Sequence, residues 1–211
     1  MEWFQLSLGP LQTNCYIVYN QKKNCLIFDP GEEAEKLIKF IKEKGLKPQA
    51  IMITHAHFDH IGALDYIRDK FKVPAYIHEK EAKWLIDPAL NGSQFFMLGK
   101  MVRMKPADHI LTSEGKMSVG DFSFHVYETP GHSPGSVSFY FEDEGFVVAG
   151  DALFNGSIGR TDLPGGNHEQ LLKSIHDKLL TLPEETIVLP GHGPDTDIGR
   201  EMDSNPYLHG F

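Results

Sequence analysis

Apolar positions along this chain follow two periods, and the switches between them outline the elements. Residues 3–8, 15–19 and 25–28 are short apolar or alternating runs that predict three strands. Gly9-Pro10, the polar corner Gln12-Thr13-Asn14 and Asp29-Pro30-Gly31 punctuate them. From Glu33 the period becomes helical: Leu37, Ile38 and Ile41 form a stripe beside Lys36, Lys39 and Lys42, and Gly45 stops the run. Residues 50–53 then read as a buried strand, and Ile61, Leu64, Ile67 and Phe71 predict a helix reaching about residue 71. A short strand over 73–78 and a helix over 79–86 follow. Strands return at 117–119, 122–127, 137–141 and 146–149. Leu171, Leu172, Ile175 and Leu179 predict a helix over 168–180, and 187–189 is a last strand. Many strands with interleaved helices in two successive halves predict an α/β chain of two sheets with helices on their outer faces, forming one domain over residues 1–211.

Residues 91–110 break the pattern, with Phe95, Phe96, Met97, Leu98, Met101, Val102 and Met104 crowded together. Two readings stand: a loop packed on the core, or an apolar flap or homodimer contact that uses adaptable methionine and aromatic side chains.

Composition narrows the function classes. Hydrophobic residues make up 41% of the 211, enough for a sizeable core. No run approaches the ~18 consecutive apolar residues of a membrane span, and the N-terminus M-E-W-F-Q-L-S-L lacks the layout of a signal peptide. No membrane partner is expected. The formal charge of −9, from 20 basic and 29 acidic residues, disfavours nucleic acid as a partner. Cys15 and Cys25 each lie in an apolar strand, which predicts buried reduced thiols and fits a cytoplasmic location.

The chemistry concentrates at strand ends. Residues 54–60 read T-H-A-H-F-D-H, placing His55, His57, Asp59 and His60 on one short loop between an apolar strand and a helix. Three more strands each end beside a glycine and a ligand-type residue: T-P-G-H gives His132, G-D gives Asp151 and P-G-H gives His192. Nitrogen and carboxylate donors suit zinc or a similar first-row ion, iron and manganese included. Seven ligands exceed one tetrahedral ion and suit two divalent ions. His78, His109, His125, His168, His176 and His209 lack such context and read as structural or solvent-exposed. Gly131-His132-Ser133-Pro134-Gly135 also matches the G-x-S-x-G nucleophile elbow, with Ser133, Asp151 and His192 in serine-hydrolase order. That motif needs a helix after its serine, whereas S-V-S-F-Y-F reads as a strand, and it leaves the 54–60 cluster unexplained.

In this order, T-H-A-H-F-D-H, T-P-G-H-S-P-G-S, A-G-D-A-L-F and L-P-G-H-G resemble the metallo-β-lactamase fold hydrolases over nearly the whole chain. G-S-I-G-R-T-D-L-P-G-G and P-D-T-D-I-G-R-E are similar to the glyoxalase-II-like branch. The resemblance implies a four-layer αββα sandwich of two mixed β-sheets. It also implies one metal on His55, His57 and His132, a second on Asp59, His60 and His192, and Asp151 bridging. Arg160 falls where glyoxalase II carries a basic residue that contacts a substrate carboxylate; the other reading pairs it with Asp162 in a turn. The chain departs from glyoxalase II in leaving no room for a C-terminal helical substrate domain, and in carrying Pro194 in place of an aromatic.

The resemblance therefore implies a thioesterase that cleaves an S-(2-hydroxyacyl) low-molecular-weight thiol with a hydroxide held between two metals, Asp59 orienting that nucleophile. The alternative is a persulfide dioxygenase with one iron on His55, His132 and Asp151. A serine esterase at Ser133 and a non-catalytic metal-binding module rank behind both. The missing export signal disfavours a β-lactamase.

Overall fold

The protein was analysed as a computed structural model, which describes residues 1–97 and 101–209. Two compact units emerge: residues 1–112 with 119–122, and residues 113–118 with 123–211.

The first unit carries a mixed six-stranded sheet ordered as in the sequence: β1 (Glu2–Leu8), β2 (Thr13–Tyr19), β3 (Asn24–Phe28), β4 (Lys47–Met52), β5 (Ala75–His78) and β6 (His109–Leu111). The first three strands are antiparallel neighbours and the remainder pair in parallel. Helix α1 (Ala34–Glu43) makes the first parallel crossover and buries Leu37, Ile38 and Ile41, the stripe its sequence predicts. These side chains join Ile17, Ile27, Ile51, Ile53 and Ile77 in one core cluster. Cys15 and Cys25 are buried and free, as expected, and burial pushes the Cys25 thiol up to about 12.

The second unit carries a mixed six-stranded sheet of β7 (Gly115–Val119), β8 (Phe122–Glu128), β9 (Val137–Phe141), β10 (Phe146–Gly150), β13 (Ile187–Pro190) and β14 (Thr196–Asp197), in the order β14-β13-β10-β9-β8-β7. Between β10 and β13 come a small hairpin of β11 (Leu153–Phe154) and β12 (Ser157–Ile158) and the helix of His168–Ser174. Leu171, Leu172, Ile175 and Leu179 all pack into this unit's core. Among the described residues no helix is long and apolar enough to cross a membrane.

Four local expectations need correction. The helix expected up to residue 71 is two, α2 (Phe58–Ile61) and α3 (Leu64–Phe71). The break lies where the backbone of Pro30 and Gly31 presses on it. A Cβ on Gly62 would sit 2.3 Å from the Gly31 carbonyl oxygen, and one on Gly31 would sit 2.1 Å from that of Asp59. The Ala63 N–H goes to Pro30 O instead of to the helix. Two glycines are thus required for this close approach, which fixes the backbone of Asp59.

The helix expected over 79–86 is a single 3₁₀ turn, Glu79–Glu81, followed by turns and by the short helix α4 (Ser93–Phe96). The 79–86 backbone closes through i→i−3 bonds, from Ala82 to Glu79, Trp84 to Glu81 and Ile86 to Lys83, and the Asn91 side-chain amide donates to the Trp84 carbonyl at 3.0 Å. The helix of 168–180 winds as α5 only to Ser174 and as a π-helix over Ile175–Leu179. A last helix, α6 (Ile198–Ser204), has no apolar stripe long enough to announce it; Asp197 caps it by accepting the Arg200 N–H at 2.8 Å.

In the 91–110 segment, Asn91 and Val102 are buried, and Met97 and Met104 pack against the first core. Phe95, Phe96 and Met101 are exposed, with Phe96 stacked on Phe58. Leu98 lies outside the described residues.

Candidate metal centre

Each unit carries its own set of ligand-type side chains at strand ends. In the first, the chain leaves β4 through Ile53 and Thr54 and passes His55, His57, Asp59 and His60 before α2 closes. His55 and His60 are fully buried, and His57 and Asp59 nearly so. Such burial of polar groups is costly unless each is held by a partner, and the partners are specific. The His60 Nδ1–H donates to Asp29 Oδ2 at 3.0 Å. The Thr54 hydroxyl donates to that same oxygen at 2.6 Å, and the Thr54 N–H donates to Asp29 Oδ1 at 2.8 Å. Because the Thr54 proton is spent on Asp29, its oxygen accepts from His55 Nδ1–H, 3.1 Å away. One carboxylate therefore fixes the tautomer of two imidazoles and leaves both Nε2 atoms as donors of a lone pair.

Asp29, His55 and His60 present ligand atoms within 4.8 Å of one another, so Asp29 could itself be read as a ligand. Its hydrogen bonds argue otherwise, since both oxygens already hold Thr54 and His60. It is an orienting group. The sequence reading ended a strand at Asp29 and assigned it no role, although it has the same signal as Asp151, a carboxylate directly after an apolar strand.

Asp59 Oδ2 accepts the Thr13 hydroxyl at 2.7 Å and lies 3.5 Å from His60 Nε2. The His57 ring stands edge-on to that of His55 and tilts against Trp84, with centroids 4.9 and 5.6 Å apart.

In the second unit, His132 follows β8, Asp151 follows β10 and His192 follows β13. Asp151 Oδ2 lies 3.5 Å from Nε2 of His132 and equally far from Nε2 of His192. One carboxylate oxygen thus stands between two imidazoles. The His132 Nδ1–H donates to the Arg160 carbonyl at 2.8 Å, the same tautomer as His55 and His60.

Arg160 therefore touches the site through its backbone. Its side chain is engaged elsewhere: Nε reaches Asp162 Oδ1 and a terminal nitrogen reaches Oδ2, both at 2.7 Å. The turn-residue reading of Arg160 is the one observed. This fork, then a backbone hydrogen bond, hold the Asp162 carboxyl down at about 2.

Ser133 is buried, its hydroxyl 2.7 Å from that of Ser136, and strand β9 follows where an elbow would need a helix. That removes the serine-hydrolase reading. Of the remaining histidines, His78 caps the 3₁₀ turn by accepting the Lys80 N–H, His109 stacks on Tyr76 and His125 faces Glu142. The imidazoles of the two units, with His55, His60 and His132 each held through Nδ1, and the Asp59 and Asp151 carboxylates are donor types that fit a divalent first-row ion.

Comparison with known proteins agrees with this chemistry. Residues 8–192 match the Metallo-beta-lactamase superfamily. A Bacillus subtilis (strain 168) protein named probable metallo-hydrolase YqgX is 55% identical over 100% of this chain and 99% of its own. The Haemophilus influenzae hydroxyacylglutathione hydrolase GloC is 38% identical over 94% of this chain and 93% of its own. Among solved structures, BLEG-1 B3 metallo-beta-lactamase superposes with a TM-score of 0.97 at 57% identity, covering 99% of this chain and 100% of that one. TTHA1623 in a di-iron-bound form gives a TM-score of 0.86 at 40% identity, covering 97% and 100%.

Proposed function

Because this chain belongs to the metallo-β-lactamase superfamily of metallo-hydrolases, we propose that it hydrolyses the thioester of an S-(2-hydroxyacyl) low-molecular-weight thiol at a two-metal centre. The observation that carries the metal chemistry is the buried 54–60 loop, whose His55 and His60 are turned by Asp29 and Thr54 to offer Nε2. The name of the Haemophilus influenzae relative supports the substrate class. His55, His57 and His132 hold one ion, Asp59, His60 and His192 hold the other, and Asp151 is shared between them. Zinc is the first choice; the di-iron-bound relative favours iron as the second, and manganese suits the same donors.

When bound, such a pair of ions supplies Lewis acidity at the carbonyl and a water acidified from 15.7 toward about 7. The chain does the remainder. Thr13 holds Oδ2 of Asp59 and so sets the orientation of the carboxylate that would align the attacking water. Asp29 and the Arg160 carbonyl hold the imidazole ligands against rotation. A thiolate leaves readily, so no strong general acid is required.

The Arg160–Asp162 fork bears on the choice of thiol. A substrate carboxylate would have to displace Asp162 to reach the guanidinium. Both side chains are solvent-exposed, so the pair is weak and screened by water. Asp162→Asn is therefore expected to lower KM roughly two- to fivefold for a carboxylate-bearing thiol ester, with kcat unchanged. The KM for an acyl-cysteamine that lacks the carboxylate should not move. Equal KM values for both substrates before and after the substitution would remove Arg160 from substrate binding.

A second reading rests on the 57% identical structure of BLEG-1 B3 metallo-beta-lactamase: in that reading, the same centre opens a β-lactam amide. The alternative of one iron on His55, His132 and Asp151 predicts oxygen uptake with a persulfide. One experiment separates them. Protein of measured metal content is assayed with S-lactoyl thiols, a chromogenic cephalosporin and a persulfide. Thioester turnover at two ions per chain, abolished by a chelator and restored by added metal, is the expected outcome. No thioester hydrolysis by fully loaded protein would overturn the proposal, and turnover of the cephalosporin or persulfide alone would select its rival.

A further inference from the structure

The ligand loop is gripped from one side by a segment to which neither the metal nor the substrate reading gives a task. Glu81 ends the 3₁₀ turn that follows β5, and its side chain is fully buried. Its Oε2 accepts the N–H of Ala56, the residue between His55 and His57. The Glu81 carbonyl accepts the N–H of Trp84 at 2.9 Å, and the indole of Trp84 is the wall against which the His57 ring rests. Ten residues after Glu81 the buried Asn91 closes the grip: its side-chain amide donates to Trp84 O, and its carbonyl accepts the Phe58 N–H at 3.0 Å.

Residues 56 and 58 are thus both hydrogen-bonded to one rigid segment, and residue 57 is the histidine between them. A backbone held on both sides of a residue fixes where its side chain starts, and the indole fixes where the ring lies. A buried neutral acceptor would satisfy the Ala56 N–H at lower desolvation cost than a carboxylate. The carboxylate makes a stronger, charge-assisted bond, and its charge opposes that of a bound cation.

We propose that Glu81 is a positioning residue for metal binding: with Trp84 and Asn91 it clamps the loop on both sides of His57 and sets the spacing of the His55–His57 ligand pair. The inference rests on the metal reading given above, and the experiment keeps the two apart. Full-length protein is stripped by chelation and titrated with cobalt(II) against a competing chelator, recording the dissociation constant, the cobalt absorption spectrum and the thermal midpoint of the apo form.

Glu81→Ala is expected to weaken cobalt binding by about 10- to 100-fold, the range for lost outer-shell partners, and to alter the spectrum. Glu81→Gln keeps an acceptor for Ala56 and should restore the wild-type spectrum with an affinity within about tenfold of wild type. If Glu81→Ala does not fold, Glu81→Asp decides, because it keeps the charge and shortens the reach to Ala56: a weakened affinity supports the clamp. Wild-type affinity and spectrum in Glu81→Ala, or in Glu81→Asp where alanine fails, with only the apo midpoint lowered, would reduce Glu81 to a packing residue. Failure of the wild-type protein to bind cobalt at all would overturn the metal reading itself.

Discussion

Asp59→Asn is expected to lower kcat by about 10²- to 10⁴-fold, the range for loss of a positioned acid–base group, while KM stays within about threefold. The geometry makes the substitution informative. Asp59 is nearly buried, its backbone is locked by the approach of Gly31, and its Oδ2 is held by the Thr13 hydroxyl. An asparagine of the same shape can stay in place, so what is lost is the charge and proton affinity of the carboxylate. Metal content per chain must be measured on the same preparation, because this carboxylate is also proposed as a ligand. Wild-type turnover at full metal content would remove Asp59 from the chemistry. Turnover that falls in proportion to metal loss would make it a ligand only.

Asp151→Ala should have the larger effect on metal content. Its Oδ2 is equidistant from two imidazoles, at 3.5 Å from each, so removing it withdraws one donor from both ions of the proposed pair. We expect at least one of the two ions to be lost and kcat/KM to fall by about a thousandfold or more, several kcal/mol of transition-state stabilisation. Elemental analysis with kinetics on the same sample checks this. Two retained ions with unimpaired turnover would show that His132 and His192 act without a shared carboxylate.

Much of this site was legible in the chain. The dense 54–60 cluster, and the recurrence of a ligand type after the apolar runs that became β8, β10 and β13, depend on local spacing that a linear sequence preserves. The longer strands were equally legible, because a period of two or a short apolar run needs no knowledge of partners; β6, β11, β12 and β14, two or three residues each, were not. The elements that failed did so for long-range reasons. Residues 58–71 keep an unbroken helical stripe, yet Pro30 and Gly31, in the loop after β3, press between their two halves. Residues 79–86 also keep helical spacing, but Asn91, from further along the chain, donates to the Trp84 carbonyl. A short helix such as α6 is set by its Asp197 cap and by the core it packs on, with too few turns for a periodic signal.

By itself, then, the sequence determined the class of chemistry: which side chains could be ligands, that they stand at strand ends, and that the loop carrying four of them lies between a strand and a helix. Only the tertiary structure decided how those ligands are held. Asp29 lies 25 positions from Thr54 and 31 from His60 along the chain, and Arg160 lies 28 from His132. Hydrogen bonds across such separations leave no periodic trace, because the partner is chosen by where strands end in space. The same cause turns the Arg160 carbonyl to His132 and sets its guanidinium against Asp162. It also brought forward Glu81, which in the sequence is one more charged residue on an expected surface helix and in the fold is a buried acceptor beneath the ligand loop.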